Sequence, residues 1–246
     1  AEHGRPGFYR KGTNDLVSIG ETGCLLLAHE INDWIHQVKH LPDDSRIAVD
    51  SDGYVITSFA ADTTVAERVG SFRFLRDINL FFQANLRLRE KMLDTVIRYA
   101  GIRSGEAYMD MDCGVGFFTL PLAMASGSGT GIDVSVENIR WAQYNSRLNG
   151  IRNVRFQAIA SSRVHPGRQQ PDPVVIDPPR AGIDKKTRKT IMAMAPSRIV
   201  YVSCNPATFS RDARDFFSGG YTLDALTLID MFPCTHQIEL ISRFVK

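Results

Sequence analysis

The sequence predicts an α/β protein: a mainly parallel sheet flanked by helices, led by a small, mostly β N-terminal domain. Three observations carry this reading. From residue 104 onward, short apolar runs suited to strands alternate with stretches of helical periodicity, and strands separated by helices argue for parallel pairing. Three of those runs end in chemically distinctive residues: DMDCGVG at 110–116, PVVIDPPR at 173–180 and IVYVSCNPATFSRD at 199–212. Open α/β sheets bind ligands at the carboxyl ends of their strands, so glycine-rich, acidic and thiol-bearing strand ends point to an enzyme with a cofactor. Before residue 78 the pattern is different, with short β-type segments split by Asp, Gly and Ser. The expected division is therefore 1–78, a small α+β domain, and 79–246, the α/β domain with its lead-in helix.

In the first part, LVSI is a short strand, and ETGCLLLAHEINDWIHQV is a turn feeding a helix. Leu26, Leu27, Ile31, Trp34, Ile35 and Val38 fit one apolar face of that helix, with Trp34 and Cys24 expected in the core. SRIAVD, GYVITSF and TTVAERVG follow as strands, while Val69, Phe72 and Phe74 suit either a strand or the surface. NLFFQAN at 79–85 leads into a helix over 86–100, with Leu86, Met92, Leu93, Val96, Ile97 and Ala100 as its stripe and Arg87, Arg89, Lys91 and Arg98 off it. Strands are expected at 106–112, 130–134, 154–159, 173–177, 198–203, 221–231 and 236–245. Helices are expected within 114–126 and over 135–148, 185–195 and 207–218, with the polar loop 161–173 between strands. The last two strands, joined by the short FPCT, suggest an antiparallel edge.

Composition narrows the function classes. The 246 residues have room for one large domain or a medium one with a smaller partner. With 43% apolar residues, 23% charged and a net charge of +2, any nucleic-acid face must come from local clustering. Cys24, Cys113, Cys204 and Cys234 show no CxxC spacing, which argues against a disulfide framework or a structural zinc site. AEHGRPGFYRKG is no secretory signal and no apolar run approaches a membrane span, so a cytoplasmic location is expected.

At the first distinctive strand end, Gly114 and Gly116 follow Asp110, and glycines there let a nucleoside approach the backbone closely. The spacing is not GxGxxG, because Phe117 and Phe118 fill the later positions, which counts against a dinucleotide. Asp133 ends the next strand, where it either accepts from ribose hydroxyls or caps the following helix. Adenosylmethionine fits best, since it carries no phosphate to cradle. At the other two ends, Cys204 is either a nucleophile favoured by the following helix or buried core. Asp177 sits in a proline-stiffened turn, with Arg180 free to bind a phosphate, a carboxylate or Asp177 itself. Glu239 stands in an apolar run, as a base of raised pKa or as half of a salt bridge. A thiol, a carboxylate and a methyl donor together suggest methylation at C5 of a pyrimidine, a carbon that becomes nucleophilic once sulfur adds to C6.

FFQAN (81–85), DxxCGVGFFTLPLA (110–123), DPPRAG (177–182), SCNPATFSRD (203–212) and DMFPCTHQIE (230–239) together resemble the RNA uracil-C5 methyltransferases, over roughly 79–246. The resemblance implies a Rossmann-like adenosylmethionine-dependent methyltransferase sheet acting on ribosomal or transfer RNA, in a monomer. It implies Cys204 as nucleophile and Glu239 as acceptor of the C5 proton. Asp177 and Gln83 would bind the uracil or fix its pose, Gln83 facing the cofactor instead as the alternative. Phe81 would stack and Arg180 would contact the substrate. Asp133 would hold the ribose and the Gly114–Gly116 loop the methionine side, with Asp110, Phe118 and Asp177 also counted at the cofactor.

The chain departs from the family pattern at several positions. Asp112 stands where an aromatic is usual, Ile159–Ala160 where a polar pair is usual, and Cys234 and Gln237 where histidines are frequent. The N-terminal barrel and iron–sulfur cysteines of bacterial relatives are not visible, which suggests a short member of the family: a minimal enzyme, a fragment, or a member that recognises RNA differently. Arg10, Lys11, Arg87, Arg89, Lys185, Lys186, Arg188 and Lys189 are candidate phosphate contacts; a solvated helix face is the alternative for 185–189. Two rival functions remain: a non-catalytic or cofactor-impaired RNA-binding module, and methylation at an exocyclic nitrogen, which needs no thiol.

Overall fold

The structure, a computed structural model, describes residues 7–9, 16–20, 23–24, 27–38, 41–42, 45–165, 171–233, 235 and 237–246. The chain divides into two compact units, Ala1–Arg68 with Leu75–Phe81, and Val69–Phe74 with Phe82–Lys246.

The smaller unit contains β1 (Gly7–Tyr9) paired antiparallel with β2 (Leu16–Ser18), helix α1 (His29–Gln37), and β3 (Ile47–Val49) paired antiparallel with β4 (Val55–Thr57). Of the apolar face expected for α1, Ile35 is buried and Trp34 only half-buried; Leu26 lies outside the described residues. Cys24 is likewise half-buried rather than core, and it is anchored through its backbone to Asn32. β5 (Thr64–Val69) and β6 (Phe72–Asp77) form a hairpin whose tip belongs to the larger unit. Phe74 is fully buried, so the 72–74 stretch is strand. Along β5 the period of two buries Val65, Glu67 and Val69. Glu67 in that row is compensated by Arg76, whose Nη2 lies 2.9 Å from its carboxylate.

The larger unit runs α2 (Arg89–Ala100), β7 (Ala107–Met111), α3 (Thr119–Ala123), β8 (Ser128–Asp133), α4 (Val136–Leu148), β9 (Val154–Ala158), β10 (Val174–Ile176), α5 (Lys185–Met194), β11 (Arg198–Ser203), α6 (Pro206–Ser218), β12 (Thr222–Ile229) and β13 (Glu239–Val245). Its seven-stranded sheet has the order β12-β13-β11-β10-β7-β8-β9. The strands from β11 to β9 are parallel neighbours. β13 is antiparallel to β11 on one side and to β12 on the other. The expected antiparallel edge formed by the last two strands is present, with β12 outermost and β13 second from the rim. β13 turns back after β12 and slots beside β11, where its hydrogen-bonding groups are satisfied on both sides.

β10 and β11 read as unbroken apolar runs because both of their faces are covered. Val174, Ile176, Ile199 and Tyr201 join a core with Ile191 and Met194 of α5 and Phe209 and Phe216 of α6. The alternating Val175, Val200 and Val202 are equally buried and face the other way. Arg243, paired with Val200, stacks 5.8 Å from the Tyr99 ring, which sets α2 on that second face. Ser135, Asp184 and Asn205 cap α4, α5 and α6 with their side chains. Helix α2 begins later than its stripe suggested: Leu86 is exposed, and Arg89 is buried rather than on the solvated side.

Candidate active site

The sheet brings the chemistry-bearing strand ends to one edge. Ile176 is in register with Met111 on β7 and with Tyr201 on β11, so Asp112, Asp177 and Cys204 all follow the ends of neighbouring parallel strands. Because β13 runs the opposite way, its first residue lies at that same edge. Ser203 pairs with Leu240, and the next position across places Cys204 beside Glu239. Gln83 arrives from the segment before α2, and its Nε2 donates to Asp177 Oδ2 at 3.2 Å. Gln83 is itself buried and held from behind: its carbonyl accepts from Arg89 Nε, and the Arg89 guanidinium sits 4.8 Å over the Phe82 ring. Arg89 is thus an internal strut and not a phosphate contact.

The carboxylates at this edge hold their protons tightly. Burial raises Glu239 to about 7, against the pull of Arg180. Burial, with Glu239, Asp110 and Asp112 nearby, raises Asp177 well above the usual carboxylate range. The Cys204 thiol is pushed up by burial and by the Glu239 and Asp177 carboxylates, while Arg180 acts in the opposite sense. The side chain of Arg180 is exposed, and its backbone carbonyl accepts from Asn205 and Thr208. Phe81 is 73% exposed and belongs to the smaller unit.

The glycine-rich turn lies beside this edge. Gly114 and Gly116 have φ of +54° and +96°, which favours glycine at both positions. Asp133 accepts from Gly114 N at 2.9 Å and from Ser135 N at 2.8 Å; the helix cap itself is Ser135. Asp110 is fully buried. Thr119 donates to its Oδ2, Oδ1 has no hydrogen-bond partner among the described residues, and burial lifts the carboxyl to about 7. Phe118 is buried and packs edge-on against Phe117 beneath the turn. Asp112 has a φ of +59°; Ser161 donates to it at 2.8 Å, and burial raises it to about 6. Ile159 packs on the core, so the departure from a polar pair there is filled by apolar contact.

Two features escaped the sequence reading. Val134, directly after Asp133, is 71% exposed and offers apolar surface at the strand end. The other is a clamp centred on Asp212 of α6, which is completely buried. It accepts from Ile183 N (2.8 Å), Arg188 Nη1 (2.8 Å), Arg211 Nε (2.8 Å) and the Tyr201 hydroxyl (3.0 Å). One carboxylate thus ties the DPPRAGI turn, α5, α6 and β11 together. Gly182 lies against the clamp at a φ of +73°, and a Cβ there would fall 2.5 Å from Asp212 Oδ2. The clamp removes Arg188 from the phosphate candidates. Arg87, Lys185, Lys186 and Lys189 stay exposed; Arg10, Lys11 and Cys234 lie outside the described residues.

A folded-state pKa above the unfolded value has a fixed thermodynamic sign. The Glu239 contribution is fully present below its unfolded pKa and is lost as pH rises through about 7. Glu239→Gln mimics the protonated form, so its melting temperature relative to wild type should rise between pH 4.5 and pH 8. The gain should approach roughly 3 kcal/mol. A gap that stays constant with pH in thermal melts would contradict this electrostatic assignment.

A family model described as tRNA (Uracil-5-)-methyltransferase matches residues 43–242. The chain belongs to this family. An uncharacterized RNA methyltransferase of Chlorobaculum tepidum is 35% identical over 206 residues, covering 81% of this chain and 42% of that protein. Another from Halalkalibacterium halodurans is 34% identical over 223 residues, covering 87% and 48%. The chain thus spans less than half the length of these relatives. The crystal structure of Pyrococcus abyssi tRNA (uracil-54, C5)-methyltransferase in complex with S-adenosyl-L-homocysteine aligns with a TM-score of 0.67 at 29% identity, covering 84% of this chain and 52% of that one. The family's α/β Rossmann-like methyltransferase fold is the one observed. Among the described residues, no helix is long and apolar enough to cross a membrane.

Proposed function

We propose that this chain transfers a methyl group from S-adenosylmethionine to C5 of a uridine in ribosomal or transfer RNA, through a covalent bond between Cys204 and C6. The observation that carries the reading is that Cys204, directly after β11, lies within electrostatic reach of Glu239 at the start of β13 and of Asp177. The family match supports an RNA uracil substrate.

The turn suits the cofactor. Gly114 has open space where a side chain would begin, the Asp110 Oδ1 acceptor is buried and unpartnered, and Asp133 and Val134 offer a carboxylate and an apolar surface to a nucleoside. Gln83, Asp110, Gly114, Gly116, Phe118, Asp133 and Asp177 are the residues assigned to hold it. When bound, adenosylmethionine supplies an electrophilic methyl group.

The chain's own residues do the rest. The Cys204 thiol first loses its proton to solvent; the thiolate then adds to C6 and drives the C5–C6 π electrons onto C5 and O4. Asp177, whose protonated form burial favours, donates a hydrogen bond toward that charge, with Gln83 fixing its other oxygen. Once C5 carries the methyl group, ionised Glu239 accepts the C5 proton, the C5–C6 double bond re-forms and the thiolate leaves. A carboxyl with a pKa of about 7 suits that proton transfer.

The test is incubation with labelled adenosylmethionine and unmodified tRNA and rRNA, followed by nucleoside analysis. 5-Methyluridine is the expected product. Its absence, from protein that binds adenosylmethionine and RNA, refutes the reading. RNA binding without cofactor binding returns the chain to a non-catalytic module, and full activity in Cys204→Ala points to methylation at an exocyclic nitrogen.

A further inference from the structure

Resting on the RNA reading above, we infer that Phe59, Arg46 and Phe81 form a platform on the smaller unit for a single-stranded segment of the RNA. The two rings are 51% and 73% exposed, and Arg46 is exposed as well. Their segments are stitched together. Arg46 N donates to Ser58 Oγ at 3.0 Å, and Arg46 O accepts from Ser58 N at 2.9 Å, with Phe59 next in the chain. Arg46 Nη1 donates to Asn79 O at 2.8 Å, and Arg76, anchored on buried Glu67, donates to the next carbonyl, Leu80 O, at 3.1 Å. Phe81 follows directly. The loop that carries this ring is therefore held at two successive carbonyls, one from the surface and one from the core, so its exposure is built into the fold.

The chemistry selects the occupant. Aromatic faces stack on unpaired bases of any sequence, and a guanidinium tied to both aromatic-bearing segments meets the phosphate backbone. A duplex keeps its base faces covered and cannot use such rings. Tyr54 provides an internal contrast: it is 68% exposed on the same hairpin but follows a turn whose Asp50 accepts from both Asp52 N and Tyr54 N, an acidic setting that repels a polyanion.

The experiment is fluorescence anisotropy of the whole chain with a short labelled oligouridylate, and with an RNA duplex as control, in the absence of cofactor. Phe59→Ala and Arg46→Glu are each expected to weaken single-strand affinity about tenfold. Phe59→Trp should retain wild-type affinity and Tyr54→Ala should be unchanged. Wild-type affinity in Phe59→Ala and Arg46→Glu, an equal loss in Tyr54→Ala, or no oligouridylate binding by the wild type overturns the platform. Binding is read without methyl transfer, so failure of the proposed reaction leaves this result standing. Methylation that ignores Phe59→Ala and Arg46→Glu, with oligouridylate affinity intact, sinks the platform alone.

Discussion

Cys204→Ala is expected to lower methyl transfer to RNA by at least about 10⁴-fold, since in the proposed reaction it removes the nucleophile and with it the chemical step itself. Glu239→Gln should fail differently. Sulfur can still add to C6 and the methyl group can still reach C5, but the C5 proton has no acceptor and the thiolate cannot leave. A protein–RNA species stable on a denaturing gel should accumulate in Glu239→Gln and be absent from Cys204→Ala and from the double variant. The expectation rests on the register that ends at Ser203 and Leu240, with Cys204 and Glu239 the next residues along, and on the effect of the Glu239 carboxylate on the thiol. Turnover of Glu239→Gln at the wild-type rate, with no trapped species, assigns the proton to another group.

The second large effect is on stability. Asp212→Ala leaves Arg188, whose side chain is 12% exposed, and the buried Ile183 N–H without their common acceptor. Breaking a buried ion pair by removing one partner costs about 3–5 kcal/mol. For a chain of this size that corresponds to a fall in melting temperature on the order of 10 °C. Tyr201→Phe removes a single donor at 3.0 Å and should cost about 1 kcal/mol. Calorimetry separates the two cases, and equal, small losses would show that the clamp holds nothing together.

Much of the larger unit was legible because its signals are local. The apolar runs at 174–176 and 198–203 end where the residue type changes, and Ser135, Asp184 and Asn205 announce the helices that follow them. Gly114 and Gly116 declared their turn through the backbone they require. What was not legible depends on partners far along the chain. Arg89 looked solvated because helical periodicity counts its neighbours but not Phe82 and the Gln83 carbonyl, which fold back over it. Asp212 looked like one more polar position on α6, since its four donors come from 183, 188, 201 and 211. The interior place of β13 was hidden for the same reason: a short connection after β12 says the two strands pair, but not which of them touches β11.

That interior place has a bearing on biogenesis. Synthesis delivers Cys204 well before Glu239, and the flank of β11 is covered by the later-made β13 and not by β12. Under the proposed reaction, a nascent chain halted before Glu239 would carry the glycine-rich turn and the cysteine but not the carboxylate assigned to discharge the adduct. Under the reaction proposed above, competence to release modified RNA would arrive with β13.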